Sequence, residues 1–194
     1  MLQCPVTCSG VHFFIVNRNC TLFGNGKTAI FRSPTVEDAA ALLEYLKITA
    51  SETPFLLRAP EECTMSLEEE EAYLRKSLAS EGRTMILCEV EGELAGNCNI
   101  ERKAHLKNRH RGMIGIALIS KFWGLGIGTA MFEEMIGIGR ALGLEQLELE
   151  VLEGNERGIA LYEKMGFRSV RAIPNAMKLP DGTSCSEIYM VKEL

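Results

Sequence analysis

Trp123-Gly124-Leu125-Gly126-Ile127-Gly128-Thr129 joins an apolar, strand-like run, Met113 to Ile119, to a segment with helical periodicity, Ile127 to Leu142. That setting says more than the glycines do. A turn that opens directly into a helix N-terminus presents several main-chain N–H groups with no intrahelical partner, and the helix dipole favours negative charge there. Glycine adds room, because a phosphate group can approach the backbone without meeting a Cβ. The stretch reads as an anion-binding turn inside a mixed α/β layer structure.

Downstream, Ile127, Met131, Met135, Ile138 and Leu142 form an apolar stripe at helical spacing, and Gly143 ends that helix. Residues 146–151 alternate as a strand. Asn155 then caps a short helix, Glu156 to Met165, stopped by Gly166. Residues 167–173 and 186–194 read as closing strands around the turn Pro180-Asp181-Gly182.

Upstream, residues 83–90 and 93–102 flank Glu91-Gly92 as a hairpin. In its second strand Asn97, Asn99 and Glu101 share one face, while Leu94, Cys98 and Ile100 share the other. The next turn is crowded with positive charge from Arg102 to Arg111, and reads as a solvated tip or as a guide for an anionic ligand. Gly115, inside the following strand, marks a bulge or a close approach by a ligand. Further back, Thr28–Arg32 reads as a strand. Thr35 with Asp38 and Ser66 with Glu69 start two helices, separated by an aperiodic loop over 51–65. Residues 1–26 lack a clear period and are treated as an extension, leaving 27–194 as one domain.

The composition, 46% hydrophobic and 24% charged over 194 residues, is that of a globular chain with a real core. A formal charge of −5 argues against nucleic-acid binding. No run approaches the ~20 apolar residues of a membrane span. The apolar segment at 11–16 is too short for a secretory signal, so a cytoplasmic address is expected. Seven cysteines at scattered positions fit reduced thiols. Cys4, Cys8, His12 and Cys20 match no familiar zinc spacing, and no metal is expected.

Three phosphate-binding schemes compete for the glycines. A dinucleotide fingerprint meets Thr129 or Met131 where its third glycine belongs. The segment Gly24-Asn25-Gly26-Lys27-Thr28 suggests a P-loop, but its first glycine falls at Thr21 and a strand, not a helix, follows. The third scheme is a coenzyme A pyrophosphate cradle. Residues 123–128, WGLGIG, supply Gly126 and Gly128 of the signature [Q/R]-x-x-G-x-[G/A], with Trp123 where Gln or Arg is usual. Residues 155–167, NERGIALYEKMGF, follow about thirty residues later and match in large part a second signature, an Asn followed by A-x-x-L/F-Y-x-K-x-G-F. On these two motifs the chain, from about Lys27 onward, resembles the GCN5-related N-acetyltransferase (GNAT) superfamily.

The resemblance implies an acyl-CoA N-acyltransferase-like fold: one mixed, mostly antiparallel sheet of six to seven strands flanked by about four helices. It implies that N–H groups across Gly124, Leu125, Gly126, Ile127, Gly128 and Thr129 hold the pyrophosphate of acetyl-CoA, with Trp123 packed beneath the turn or against the cofactor. Main-chain groups near Leu118 and Ile119 would pair with the pantetheine arm, and Asn155 would hydrogen-bond to it. Tyr162 would protonate the departing thiolate. Asn155 can equally be a helix cap only, and Tyr162 a core aromatic only.

The chemistry asks for such parts. Only a neutral amine attacks a thioester, and at an unperturbed pKa of ~10.4 about one amine in a few thousand is neutral at pH 7. A base is therefore useful, and Glu101, Glu150 or a water-mediated route remain open for it. The expected activity is transfer of acetyl from acetyl-CoA to an amine of a small molecule or peptide, by direct attack in a ternary complex. The alternative is a non-catalytic acyl-CoA-binding sensor of the same fold. The acceptor is not legible, and a homodimer is compatible with the sequence without being established by it.

Overall fold

The computed structural model describes residues 6–8, 11–13, 17–21, 28–179 and 181–194. The Cys4, Cys8, His12 and Cys20 reading lies outside the described residues and side chains. Two short strands, β1 (Val6–Cys8) and β2 (Val11–Phe13), pair with each other, and β3 (Asn17–Thr21) follows. The order then runs β4 (Thr28–Arg32), α1 (Ala39–Glu52), α2 (Leu67–Leu78), β5 (Arg83–Val90), β6 (Glu93–Arg102) and β7 (Arg111–Leu118). After these come α3 (Ile127–Ala141), β8 (Gln146–Leu152), α4 (Glu156–Lys164), β9 (Arg168–Lys178) and β10 (Ser184–Glu193). Seven strands from Thr28 onward form one mixed sheet with four α-helices, as expected, and β3 adds an eighth along the outer edge of β4.

The Ser66 start signal acts as the sequence implies, whereas Thr35 opens a short 3-10 turn, Val36–Asp38, that leads into α1. The Ser66 hydroxyl accepts from the Glu69 N–H at 3.2 Å while the Glu69 carboxylate accepts from the Ser66 N–H at 2.8 Å, a closed capping box. The Thr35 N–H donates to Asp38 at 2.7 Å, and Asp38 also takes two bonds from Arg32 at 2.8 and 2.6 Å. Arg32 shares its sheet face with Glu89, so the β4–β5 face is tied to the entry of α1.

Cross-strand partners set the core. Ile86, Cys98 and Ile116 stand in register, as do Ile100 and Ile114. The α3 stripe Met131, Phe132, Met135 and Ile138, all fully buried, covers that face. A Cβ on Gly139 would touch Ile100 and Leu147, so this glycine sets how closely α3 approaches. α1 and α2 pack on β5 and β6 from the face that carries Arg32 and Glu89.

The feature that positions the site is a parting of strands. The parallel pair β7 and β8 is in register only from Arg111↔Gln146 to Met113↔Glu148. Beyond it, β7 stays with β6 as far as Leu118 and β8 stays with β10 as far as Leu152, so a wedge opens between them. Glu148, with no solvent exposure, sits where the wedge begins. Its carboxylate accepts from the Arg111 Nε and the Tyr189 hydroxyl, and from Gln146 Nε2 at 2.8 Å, with Lys103 Nζ at 3.7 Å.

At the other end of β7 a bulge at Ala95 lets the Ile119 N–H reach the Ala95 carbonyl at 2.9 Å. A Cβ on Gly96 would lie 2.2 Å from a Leu118 methyl and 2.7 Å from the Ala117 carbonyl. Gly96→Ala is therefore expected to destabilise the fold by about 1–3 kcal/mol, read as a lower urea midpoint. An unchanged midpoint would show that β7 yields freely here.

Candidate active site

The wedge forms a cavity of about 600 Å³. One wall is β7 from Ile114 to Leu118, another is β8 from Leu149 to Val151, and a third is the first half of α4 with the turn before it. The segment after α1, Thr53 to Leu57, closes the fourth side. The β8-facing edge of β7 has no strand partner along this stretch among the described residues.

The glycine turn adjoins this cavity through Trp123. Gly124 and Gly126 take positive φ, +78° and +83°, conformations that L side chains rarely adopt. Gly126 is the N-cap of α3, and the Ala130 N–H is the first in the helix to find a main-chain acceptor, Gly126, at 3.1 Å. The N–H groups from Gly124 to Thr129 therefore lack main-chain acceptors among the described residues. A Cβ on Gly128 would stand 3.0 Å from Leu161, so that glycine lets α4 close against the start of α3. Lys164 Nζ donates to Thr129 Oγ1 at 3.2 Å, adding positive charge beside the turn.

Trp123 bridges the β7 and α4 walls of the wedge. Its indole N–H donates to the Leu118 carbonyl at 2.8 Å, and the Arg157 guanidinium lies 4.9 Å from its ring centroid. The Ile119 N–H and C=O are both spent inside the protein, on Ala95 and on the Phe122 N–H at 3.0 Å. Of the residues expected at the cofactor arm, Leu118, Trp123, Asn155 and Tyr162 line the cavity, while Ile119 is buried behind it.

Asn155 acts as the helix cap that the sequence implies. Its Oδ1 accepts from the Gly158 N–H at 3.0 Å, a cap for α4, and its amide nitrogen remains available on the cavity side. Tyr162 packs its ring against Phe132 and Phe167, with centroids 5.5 and 6.4 Å away. Burial pushes its phenol up to about 12. The same ring thus serves the core with one end and the cavity with the other.

The two carboxylates considered as a base part company. Glu150 is exposed on the cavity wall. Glu101 lies outside the cavity lining, paired with Arg83 at 2.9 Å. Glu187 sits above its ordinary value, through partial burial first and the charge of Glu150 second. Glu52 also lines the cavity, but its carboxylate accepts from the Ser120 N–H and hydroxyl at 2.7 and 2.8 Å.

Two participants carried no motif. The segment Thr53 to Leu57 is an aperiodic loop whose only signal is the apolar Pro54-Phe55-Leu56-Leu57 run. Tyr45, on α1, donates to the Ala117 carbonyl at 2.7 Å and accepts from the Asn97 N–H at 3.3 Å, pinning α1 to the wedge; nothing local marks it.

Comparison with known proteins identifies the family. A family profile described as Acetyltransferase (GNAT) family matches residues 47–167. The L-amino acid N-acetyltransferase AaaT of Escherichia coli is 24% identical over 111 residues, 57% of this chain and 67% of that protein. An N-alpha-acetyltransferase of Sulfurisphaera tokodaii is 29% identical over 97 residues, 45% of this chain and 58% of that protein. The chain thus spans about two thirds or less of the curated relatives it matches. A GNAT-family acetyltransferase from Streptococcus pneumoniae superposes with a TM-score of 0.81 at 27% identity, covering 86% of this chain and 99% of that one. The profile runs through both the glycine turn and α4, and the chain belongs to the GNAT family of acetyltransferases.

Proposed function

We propose that this protein transfers acetyl from acetyl-CoA to a primary amine by direct attack within a ternary complex. The observation that carries the reading is the row of N–H groups from Gly124 to Thr129 without main-chain acceptors, set at the side of the β7–β8 wedge. The pyrophosphate takes those amides, helped by the α3 dipole. The pantetheine arm lies along the free edge of β7 as an added strand, using main-chain groups of β7 up to the Leu118 N–H, the Leu118 carbonyl being held by Trp123, while the Asn155 amide donates to one of its carbonyls. An N–H of β7 near Gly115 holds the oxyanion as the amine adds to the thioester. The C–S bond then breaks, Tyr162 donates toward the leaving sulfur, and the proton lost by the amine completes the thiol. The described free cysteines, Cys63, Cys88, Cys98 and Cys185, suit a reducing compartment such as the cytoplasm.

We assign the base to Glu150, which stands on the β8 wall of the cavity with no hydrogen bond or ion pair among the described residues; Glu156, likewise unpaired, belongs to the first turn of α4. Glu150→Gln is expected to lower kcat/KM about 10–10²-fold at pH 7, with the deficit shrinking as pH approaches the amine's own pKa. A pH–rate series checks this, and a deficit that stays constant with pH overturns the assignment.

Saturating acetyl-CoA should raise the melting temperature, since a ligand at a hundred times its Kd adds about 2.7 kcal/mol. Release of free thiol on adding amines should follow. Absence of the thermal shift would overturn the whole reading. A shift without thiol release from any amine would favour the sensor alternative.

A further inference from the structure

A second cavity, also about 600 Å³, adjoins the wedge and shares Glu52, Thr53, Pro54, Leu56 and Leu57 with it. Its remaining walls are the end of α1, the segment Arg58 to Glu61, Leu152 at the end of β8, and Met177 to Leu179 at the end of β9. Apolar side chains dominate: Leu56, Leu57, Leu152, Met177 and Leu179 converge there, with Arg58 and Lys178 as its cations. The carboxylate of Glu52 is committed to Ser120.

Strand geometry links the two cavities. Glu150 and Leu152 are two residues apart on β8, hence on the same face and roughly 7 Å apart. Glu150 lines the wedge and Leu152 lines the neighbouring cavity. A nitrogen poised at Glu150 therefore has an apolar compartment within the reach of a substituent two or three bonds long. A polyamine or a lysine ε-amine would lay a hydrated chain along leucine and methionine, and of the two carboxylates lining the cavity Glu52 is already engaged, leaving Glu61 alone to meet a second charge.

We infer that the second cavity selects the acceptor: a primary amine carrying a bulky apolar group close to the nitrogen, as in a leucine-, methionine- or phenylalanine-type α-amine. This rests on the acetyl-transfer reading above. A free amino acid and a peptide N-terminus share that chemistry, and Arg58 and Lys178 would favour the free carboxylate.

The test uses the full chain with CoA present, comparing leucinamide, glycinamide, spermidine and free leucine by calorimetric binding and by thiol release. Leucinamide is expected to bind at least about tenfold more tightly than glycinamide and to show the same ratio in kcat/KM. Free leucine exceeding leucinamide would identify the amino acid as the source, and the reverse a peptide N-terminus. Leu179→Glu, which lies outside the wedge, should abolish the preference for leucinamide while glycinamide turnover and the acetyl-CoA thermal shift persist. Met177→Glu provides a second variant should the first not fold. Equal binding of leucinamide and glycinamide, or a preference for spermidine, with the thermal shift intact, would overturn this inference alone. Loss of the shift in the unmodified protein would sink both readings.

Discussion

Replacing Tyr162 by phenylalanine is expected to lower kcat by about 10²–10³-fold while leaving CoA affinity unchanged. The ring is held by Phe132 and Phe167, and phenylalanine preserves those contacts, so the hydroxyl is the only group removed. Burial keeps the phenol near 12, which leaves it protonated at any working pH and able to donate. An ordinary thiol has a pKa of ~8.5, so in water a thiolate would not take this proton outright. On the proposed mechanism the hydroxyl would stabilise sulfur inside the wedge as negative charge develops, and the proton lost by the attacking nitrogen would complete the thiol. Two consequences separate this role from a packing role. The loss should appear in kcat and not in the CoA dissociation constant, and no alkaline limb from Tyr162 should appear between pH 7 and 10. Steady-state kinetics with CoA titrations decide it, and an unchanged kcat would remove Tyr162 from the mechanism.

The largest effect on stability is expected from Arg111→Met, about 3 kcal/mol of destabilisation. The cost arises less from the lost ion pair than from Glu148, which has no solvent exposure and would keep its charge with weaker partners. Tyr189, Gln146 and the more distant Lys103 remain, which holds the loss to the lower end of the range for a broken buried pair. In the native protein the Tyr189 hydroxyl and the Arg111 guanidinium outweigh burial and hold the Glu148 carboxyl below its ordinary value. Its contribution to stability is thus full above the unfolded value of ~4.3 and is lost as pH falls through the lower, folded value. In the variant the sign reverses. Burial without Arg111 raises the folded value, and the deficit shrinks as acid protonates Glu148. Urea midpoints at pH 5 and pH 8 test this. Adding Glu148→Met to Arg111→Met should recover part of the loss, because an apolar pair leaves no buried charge. A double variant less stable than the single one would refute the account.

Much of this fold was legible from short-range rules. The hairpin across Glu91-Gly92, the box at Ser66 and Glu69 and the cap at Asn155 all stand at their expected positions, because each is a bargain among residues within four positions of one another. The glycine turn was legible for the same reason, since positive φ at Gly124 and Gly126 is a local steric demand. Arg157 over Trp123, Tyr45 against Ala117 and the Thr53–Leu57 wall were not, since they join residues 34 or more positions apart or depend on how a loop lies across a sheet. Glu148 and Glu150 show the limit most plainly. They share one face of one strand, yet one is fully buried in an ion cluster and the other is exposed to the cavity.

By itself the sequence determined the kind of elements and their order from Thr28 onward, though not the three strands before it, and the family to which two motifs about thirty residues apart belong. Those follow from torsional preference, hydrophobic period and side chains competing for nearby backbone groups. Only the tertiary structure decided where β7 leaves β8 and how a row of helix amides comes to stand beside the resulting wedge. It also decided that Glu150 faces the wedge while Glu101 pairs with Arg83 outside it, and that a second cavity adjoins the first. The physical reason is that a strand's departure from its neighbour is set by what both strands hold on their other edges. Here those are β6 and β10, and their pairing depends on packing across the whole sheet.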